Sequence, residues 1–445
     1  MTDPQQTARH TVICADWIVP VRPAREVLEG HAVVIEGESI VAILPAAEAL
    51  DAFSSAHVVD LPGHVLIPGL INAHGHAAMT LLRGYSDDQT LMTWLTDHIW
   101  PVEAAMIDYE FVHDGTTLAV AEMISSGTTF AADTYFFPDA VANAFIEQGF
   151  RGQVCLPVVR FGNAWASDEA DHIHKGLAFR DDFKHQPLLT TAFAPHAPYT
   201  VSDDGLARIL VLSEELEIPI HLHLHETASE VADARRKDGE SPVERLARLN
   251  LLSPLLQAVH MTQLDDTAMD LIANYGVQIA HCPESNMKLA SGICPVTALA
   301  SRNVNVALGT DGAASNNNLD MLGEMHTASL LAKVDQDDAT ALDAFAALEM
   351  ATINGARFFG LEDRIGSIEV GKAADLAAID LDSPGLMPVY NPVSQLVYAA
   401  SGNDVTNVWI AGQQLLDDGR LTRLDLHDLR EKTRHWQSRI KEYSA

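Results

Sequence analysis

Apolar and polar positions follow two different patterns along the chain. In residues 11–65 and 366–445, short apolar runs such as Thr11–Ile18 are separated by turns, and the Glu36-Gly37-Glu38 turn between two such runs is typical of a β-hairpin. In residues 66–365, apolar runs alternate with longer amphipathic segments, which favours a parallel sheet covered by helices. The pattern therefore predicts a central α/β domain, residues 66–365, and a small β-sandwich domain built from both chain ends, residues 1–65 and 366–445.

The central region contains eight predicted strands separated by helix-forming sequence. The strand candidates are His64–Ile71, Thr128–Ala132, Gly152–Val159, Leu188–Ala194, Ile218–His223, Leu256–His260, Gln278–His281 and Asn305–Leu308. The helical segments include Tyr109–Ser126, Pro138–Gln148, Asp203–Leu216, Pro242–Leu249 and Asp265–Tyr275. Eight such units match a parallel (β/α)8 TIM-like barrel, which typically takes ~250 residues or more. A doubly wound open sheet is the alternative, but it usually brings a glycine-rich phosphate loop, and the chain has neither G-x-G-x-x-G after an early strand nor a Walker A motif.

The charge balance of the chain is strongly acidic. Its 28 Lys and Arg residues against 61 Asp and Glu residues give a formal net charge of −33 over 445 residues. Such a surface repels phosphate backbones and anionic lipid. We therefore expect neither a nucleic-acid partner nor a membrane partner.

Cysteine usage and the start of the chain both bear on location. Cys14, Cys155, Cys282 and Cys294 are scattered without a Cys-x-x-Cys spacing, which fits a reducing compartment. The polar start, residues 1–6, lacks the basic-then-apolar pattern of a signal peptide, and no run of about 18 apolar residues occurs. We expect a cytoplasmic protein.

Polar side chains that follow predicted strands are the candidates for chemistry, because active sites of such barrels lie where strands end. His74 and His76 follow the first strand, and positions i and i+2 of an extended segment point to one face, so both can reach one metal ion. The fifth strand places His221, His223 and His225 at alternate positions, and a glutamate follows. A His-rich surface strand is the alternative, but leucines on the other face and an apolar approach indicate burial. A buried imidazole normally has a hydrogen-bond partner or a metal.

Two further strands end in polar residues. His260 ends the sixth strand, and Asp311 follows the eighth. Each candidate alone is compatible with a structural role, but their placement at four strand ends, in barrel order, favours one site. Three neutral histidines and one carboxylate suit Zn²⁺, with water completing the shell, and Fe²⁺ would also fit. Zinc lowers the pKa of bound water from 15.7 to about 7, and Glu226 and Asp311 are then available for proton transfer.

These motifs together resemble the amidohydrolase superfamily. The resemblance rests on Pro68–His76, His223–Glu226, the strand-end His260, Gly309–Gly312 and the Gly366–Leu376 return into the β-domain. It implies four metal ligands: His74, His76, His223 and Asp311. Binuclear members use a carboxylated lysine after the fourth strand, where Ala192–His196 offers none. The resemblance therefore implies one divalent metal ion per subunit.

Within the superfamily, several segments are similar to the 5′-methylthioadenosine/S-adenosylhomocysteine deaminases. These segments are Leu91–Leu95, Ile99–Glu103, Ala194–Tyr199 and Cys282–Gly292. By that resemblance Glu103 accepts hydrogen bonds from the ribose 2′- and 3′-hydroxyls, which suits a carboxylate because it can accept from two adjacent donors. His196 contacts the purine or the ribose. Trp94 and Trp100 offer apolar surface, with ordinary packing as the alternative.

The implied reaction is hydrolytic deamination at adenine C6 of 5′-methylthioadenosine, S-adenosylhomocysteine or adenosine, giving the inosine analogue and ammonia. In it Glu226, as general acid, protonates N1, Asp311 takes the proton from the attacking water, and His260 stabilises the tetrahedral centre. The main alternative is another mononuclear-metal amidohydrolase acting on guanine, a triazine or another aromatic amine. Glu103 with His196 makes sense for a ribose and little sense for a bare ring. From a different class, a non-catalytic binding protein on a barrel scaffold is disfavoured by the full set of candidate residues.

The carboxylate of S-adenosylhomocysteine needs a positive side chain that the sequence identifies less directly. Arg160, after the third strand, is the candidate; Arg83 competes, and a surface arginine without a ligand role is the alternative. The sequence does not rank the three nucleosides. Large acidic cytosolic enzymes of this type are often homo-oligomers, so we expect a homo-oligomer.

Overall fold

The structure is a computed structural model that describes residues 10–444, so the polar start at residues 1–6 lies outside the described residues. Its strands are β1 His10–Ile18, β2 Leu28–Glu36, β3 Ser39–Pro45, β4 His57–Pro68, β5 Leu70–Asn72, β6 Thr128–Thr134, β7 Arg151–Val158, β8 Leu189–Pro195, β9 Ile220–Leu224, β10 Leu256–His260, β11 Gln278–His281, β12 Val306–Leu308, β13 Leu376–Asp380, β14 Val405–Ile410, β15 Gln413–Asp417 and β16 Arg420–Leu421. Its helices are α1 Ala46–Ala52, α2 Leu91–Thr93, α3 Trp100–Met106, α4 Tyr109–Ser125, α5 Pro138–Gln148, α6 Glu169–Phe183, α7 Asp203–Leu216, α8 Ala228–Asp238, α9 Pro242–Arg248, α10 Asp266–Tyr275, α11 Pro283–Lys288, α12 Val296–Ser301, α13 Met321–Gln336, α14 Ala344–Met350, α15 Ile353–Phe358, α16 Pro392–Tyr398 and α17 Leu426–Ser444.

Strands β5 to β12 form one eight-stranded parallel sheet in sequential order. A hydrogen bond of 2.8 Å from the Ala73 N–H to the Leu308 C=O joins its two outermost strands at their carboxyl ends. Strands β6, β7, β9 and β10 are buried along their whole length, because helices cover one face and side chains fill the other. The predicted parallel barrel is confirmed.

Both chain ends build a second sheet, with the strand order β16-β15-β14-β13-β4-β1-β2-β3. Its pairs are antiparallel except for β1 and β4. A buried ion pair ties this sheet to the barrel: Arg151 Nε donates to Asp375 Oδ2 at 2.7 Å, and both side chains are nearly inaccessible to solvent. The Ala411 N–H also donates to this carboxylate, so the buried charge is fully engaged.

The predicted strand His64–Ile71 is two strands in the structure. Strand β4 stays in the mixed sheet to Pro68, where it pairs with β13, and the barrel begins only at β5. Gly69 makes the crossing possible, because a Cβ there would lie 2.1 Å from Thr129 Oγ1. Residues Ser367–Glu369, which the sequence also predicts as a short strand, form none in the described chain, where the Ile368 N–H donates to the Pro20 C=O.

The main apolar core of the protein runs through the barrel and its surrounding helices, and two smaller clusters lie in the mixed sheet. Between residues 10 and 444, no helix combines the length and the apolar character needed to cross a membrane.

Candidate active site

Side chains from four strand ends meet at the carboxyl side of the barrel. His74 and His76 follow β5, His223 lies on β9, His260 ends β10, and Asp311 follows β12. His74 Nε2 lies 3.2 Å from His223 Nε2 and 3.5 Å from Asp311 Oδ1. His76 Nε2 lies 3.3 Å from the same carboxylate oxygen. His74 thus belongs to two groups of possible metal ligands, one with His76 and Asp311 and one with His223 and His260.

Hydrogen bonds at Nδ1 fix which ring nitrogen of His76 and of His223 carries a proton. His76 Nδ1 lies 2.6 Å from the Thr134 C=O, and His223 Nδ1 lies 2.6 Å from the His196 C=O. Because a carbonyl oxygen only accepts, each Nδ1 carries the proton. In the neutral form of each ring, Nε2 therefore presents a lone pair to the site. Burial lowers the pKa of His76, but hydrogen bonding and charge from Asp311 raise it to about 9, so this ring has to lose its second proton before it can bind a cation.

A relay of hydrogen bonds from Gln257 through His221 fixes the tautomer of His74 in the same way. The Gln257 amide donates from Nε2 to the Phe358 C=O, which turns its Oε1 toward His221 Nδ1 at 3.1 Å. His221 Nδ1 is therefore the donor, and its Nε2 accepts from His74 Nδ1 at 2.8 Å. Burial lowers the pKa of both rings, that of His221 to about 4, so both are neutral at neutral pH. The Nε2 lone pair of His74 also faces the site.

Three imidazole lone pairs and a carboxylate thus converge on one point. The Nε2 lone pairs of His74 and His223 repel each other because the two atoms lie only 3.2 Å apart. A cation between them would accept both lone pairs while the rings stay neutral. Burial lowers the pKa of His223 as well, which keeps that ring a ligand rather than an imidazolium. Imidazole nitrogens plus one carboxylate are the ligands that a single divalent transition-metal ion takes.

The loop after β12 places the carboxylate ligand. A Cβ on Gly309 would lie 2.7 Å from the His74 backbone nitrogen, so only glycine lets the loop approach that closely. Ser285 Oγ donates to Asp311 Oδ2 at 2.6 Å. Burial alone would raise the pKa of Asp311, but the adjacent imidazoles of His74 and His76 hold it well below its usual range. The Asp311 side chain is therefore a carboxylate.

The turn after β9 points His225 away from the site and Glu226 into the cavity. His225 has a left-handed φ of 51°, so the alternation of the strand stops at Leu224. His225 Nδ1 donates to the Gln263 C=O at 2.6 Å, away from the metal ligands. The prediction that three alternating histidines share one face is therefore wrong for His225. Glu226 instead lines the cavity, where burial raises its pKa and Ser291 Oγ lies 3.2 Å from its Oε1.

Glu230 holds this turn in place, and sequence reasoning missed it. Its carboxylate accepts from the Glu226 N–H at 2.7 Å and from the His225 N–H at 3.2 Å. A sequence signal was present: Thr227 and Glu230 have the spacing of a capping box, and Thr227 Oγ1 does accept from the Glu230 N–H. The glutamate, however, reaches past the cap residue to the two preceding amides.

A cavity of about 490 Å³ opens from the predicted metal ligands toward solvent. One wall is the helical segment 91–107, and it is apolar apart from Glu103; its lining residues are Leu91, Trp94, Leu95, Ile99, Trp100, Glu103, Ala104 and Ile107. Tyr135, Phe136, Phe161 and Tyr199 are the aromatic residues of the facing walls. Among the described residues that line the cavity, none is lysine or arginine.

Three of the four predicted substrate-binding residues line this cavity: Glu103, His196 and Trp94. Burial together with nearby His76 lowers the pKa of His196 to about 4, so the ring is neutral. Arg160 is exposed and does not line the cavity, although the residues on either side of it do. The role of Arg160 stays a prediction.

Tyr135 and Arg83 also bear on how the cavity could bind substrate. Tyr135, which sequence reasoning missed, donates from its hydroxyl to Glu103 Oε1 at 2.6 Å. Burial raises the pKa of Glu103 to about 7, although the Tyr135 bond opposes that shift. Arg83, the competing cation, binds the Glu122 carboxylate with both guanidinium nitrogens and also the Asn317 C=O.

Comparison with known proteins places this geometry in context. A model of the amidohydrolase family matches residues 65–415. A 5-methylthioadenosine/S-adenosylhomocysteine deaminase of Teredinibacter turnerae is 49% identical over 426 residues, which covers 96% of each chain. A 5′-deoxyadenosine deaminase of Methanopyrus kandleri is 43% identical over 369 residues, 83% of this chain and 85% of that one. The crystal structure of an adenosine deaminase from Xanthomonas campestris with bound zinc aligns with a TM-score of 0.96 at 50% identity, covering 97% of this chain and 98% of that one.

Proposed function

The chain belongs to the amidohydrolase family, and from this premise we propose that it is a metal-dependent deaminase that hydrolyses the C6 amino group of adenosine-type nucleosides. The observation that carries the proposal is the convergence of three Nε2 lone pairs and the Asp311 carboxylate beside Glu226. This cluster lies in one cavity with Glu103, a carboxylate suited to paired ribose hydroxyls. The names of the relatives support the same reaction.

The proposed metal ligands are His74, His76, His223 and Asp311. We infer Zn²⁺ as the ion, with Fe²⁺ as the alternative, because both take imidazole and carboxylate ligands. A bound divalent ion would lower the pKa of its water toward about 7. The relay behind His74 holds that ring in its ligand tautomer, which is how outer hydrogen bonds tune a metal site.

The proton transfers fall to this chain's own side chains. Burial raises the pKa of Glu226, so its carboxyl keeps a proton to higher pH and can donate it to the purine N1. Asp311, which is ionised because its pKa is held low, takes the proton from the attacking water and passes it to the amino group, which leaves as ammonia. The remaining proton of the added hydroxyl returns to Glu226 as the C6 carbonyl forms. His260 Nδ1 lies 2.9 Å from Asn286 Oδ1, which holds the ring with Nε2 toward Glu226 and the developing tetrahedral centre.

The cavity favours nucleosides with an uncharged 5′ group. With C6 at the metal ligands and the ribose at Glu103, the 5′ carbon meets the apolar wall that carries Ile99, Trp100 and Ile107, one helical turn from Glu103. The zwitterionic tail of S-adenosylhomocysteine would lie there without a cationic partner, and an unpaired charge is costly to desolvate. We therefore infer that 5′-methylthioadenosine and other apolar 5′ derivatives are better substrates than S-adenosylhomocysteine.

A substrate panel tests the proposal. The metal-loaded enzyme is assayed for ammonia release and loss of adenine absorbance with adenosine, 5′-methylthioadenosine, S-adenosylhomocysteine and guanine. We expect turnover of the adenosines, with S-adenosylhomocysteine the poorest of the three. Turnover of guanine alone, or nucleoside binding without ammonia release, would refute the proposed reaction. High activity on S-adenosylhomocysteine that is lost in Arg160→Ala would refute only the inference about the 5′ group.

Two other expectations from the sequence, a cytoplasmic location and a homo-oligomeric state, stay predictions. Size-exclusion chromatography with light scattering measures the second directly.

A further inference from the structure

We propose that Tyr135 is a positioning residue that aims the Glu103 carboxylate at the ribose hydroxyls and sets its distance from the metal ligands. The inference rests on the proposed function, in which Glu103 anchors the ribose. It goes beyond that function because it assigns the discrimination between ribose and deoxyribose to a residue that need not touch the sugar.

The contact between the two side chains is short and enclosed. The Tyr135 hydroxyl donates to Glu103 Oε1 at 2.6 Å, and Tyr135 is only 5% exposed. A glutamate side chain has three rotatable bonds, and an unrestrained one would sample several rotamers. The tyrosine occupies one oxygen, so the remaining acceptor positions of the carboxylate point in a fixed direction. A fixed carboxylate can accept from two adjacent hydroxyls at once.

The backbone next to Tyr135 holds the other end of the site. The C=O of Thr134, the preceding residue, accepts from His76 Nδ1 at 2.6 Å. Two consecutive residues at the end of β6 thus restrain a metal ligand and the ribose anchor. In one glycosidic conformation of a nucleoside, the separation between the reacting C6 and the ribose hydroxyls is nearly fixed. A rigid link between their two recognition points therefore places C6 at the metal when the ribose is bound.

The hydrogen bond also favours the form of Glu103 that can accept. Burial raises the pKa of this carboxyl to about 7, and the bond from Tyr135 is the largest opposing contribution, ahead of the charge on His76. Removing the hydroxyl would leave more of the carboxyl protonated near neutral pH. A protonated carboxyl is a poorer partner for two donors.

The test compares adenosine with 2′-deoxyadenosine and 3′-deoxyadenosine in the metal-loaded enzyme. Tyr135→Phe keeps the ring and removes only the hydroxyl. We expect KM for adenosine to rise about tenfold, kcat to change less than about threefold, and the preference for adenosine over 2′-deoxyadenosine to fall about tenfold, as for a lost hydrogen bond to a charged group. Tyr109→Phe is the matched control, because it removes an exposed hydroxyl that binds Asn143 outside the cavity.

Variants of Glu103 separate failure of this inference from failure of the proposed function. If Glu103→Ala abolishes the ribose preference while Tyr135→Phe leaves it unchanged, the positioning role of Tyr135 is overturned and the proposed function stands. If Glu103→Ala itself leaves the preference unchanged, Glu103 is not the ribose anchor. In the Glu103→Ala background, Tyr135→Phe should cause no further loss of preference, because the tyrosine acts through the carboxylate.

A second variant covers the case in which Tyr135→Phe does not fold. Glu103→Asp shortens the side chain by one methylene and draws the carboxylate away from the Tyr135 hydroxyl. It should reproduce the rise in KM and the loss of ribose preference with metal content unchanged. Retention of the full preference in Glu103→Asp would overturn the inference.

Discussion

Replacement of Glu226 by glutamine tests the proton-transfer assignment with little structural disturbance. Glutamine has nearly the same size, and its Oε1 can keep the bond from Ser291 Oγ, 3.2 Å away in the structure. The glutamate is 8% exposed and burial raises its pKa, so the change removes a proton donor rather than a surface charge. General acid catalysis contributes about 10²–10⁴ in rate, which corresponds to about 3–5 kcal/mol of barrier at 1.36 kcal/mol per tenfold.

We therefore expect kcat of Glu226→Gln to fall about 10²–10⁴-fold at neutral pH, with a small change in KM. The assay is steady-state ammonia release from 5′-methylthioadenosine, with metal content measured on the same sample. Glu214→Gln, an exposed glutamate on α7, is the matched control and should behave as wild type. Near wild-type turnover of a fully metal-loaded Glu226→Gln would refute the assignment.

Three further predictions follow from other parts of the structure. If Glu103 anchors the ribose as proposed, it must be ionised to accept from both hydroxyls, and burial raises its pKa to about 7. KM should therefore rise as pH falls through about 7, and this dependence should vanish in Glu103→Gln. Asp375→Ala leaves Arg151 buried without its partner and should lower the free energy of unfolding by about 3–5 kcal/mol in denaturant titrations. Asp233→Ala, which breaks an exposed pair with Arg236 inside helix α8, should cost less than about 1 kcal/mol. His221→Phe removes the acceptor behind a metal ligand and should weaken metal affinity about 10–100-fold in chelator competition, and unchanged affinity would contradict the relay.

The barrel was predictable because its strands are buried on both faces and so stand out as apolar runs between amphipathic helices. Strand β10 and helices α5 and α7 begin and end where the sequence predicted. The passage between the domains was not predictable in detail. The run before Gly69 is continuous in sequence, and only its pairing with β13, far along the chain, shows that it belongs to the mixed sheet up to Pro68.

The predicted metal ligands came together because strand ends of a barrel converge whatever their separation in sequence. The direction of His225 was not predictable, since it depends on a left-handed backbone conformation just past the strand. Tyr135 was missed because a hydroxyl in a loop carries no periodic signal. Its role shows only through its contact with the Glu103 carboxylate, which is distant in sequence.

The most direct test of the central claim follows the oxygen atom. The metal-loaded enzyme is incubated with 5′-methylthioadenosine in water enriched in heavy oxygen, and the product is analysed by mass spectrometry together with the ammonia released. We predict the intact inosine analogue with one heavy oxygen at C6 and an equal amount of ammonia, and no product after the metal is removed. Release of free adenine, or a metal-independent reaction, would contradict the account.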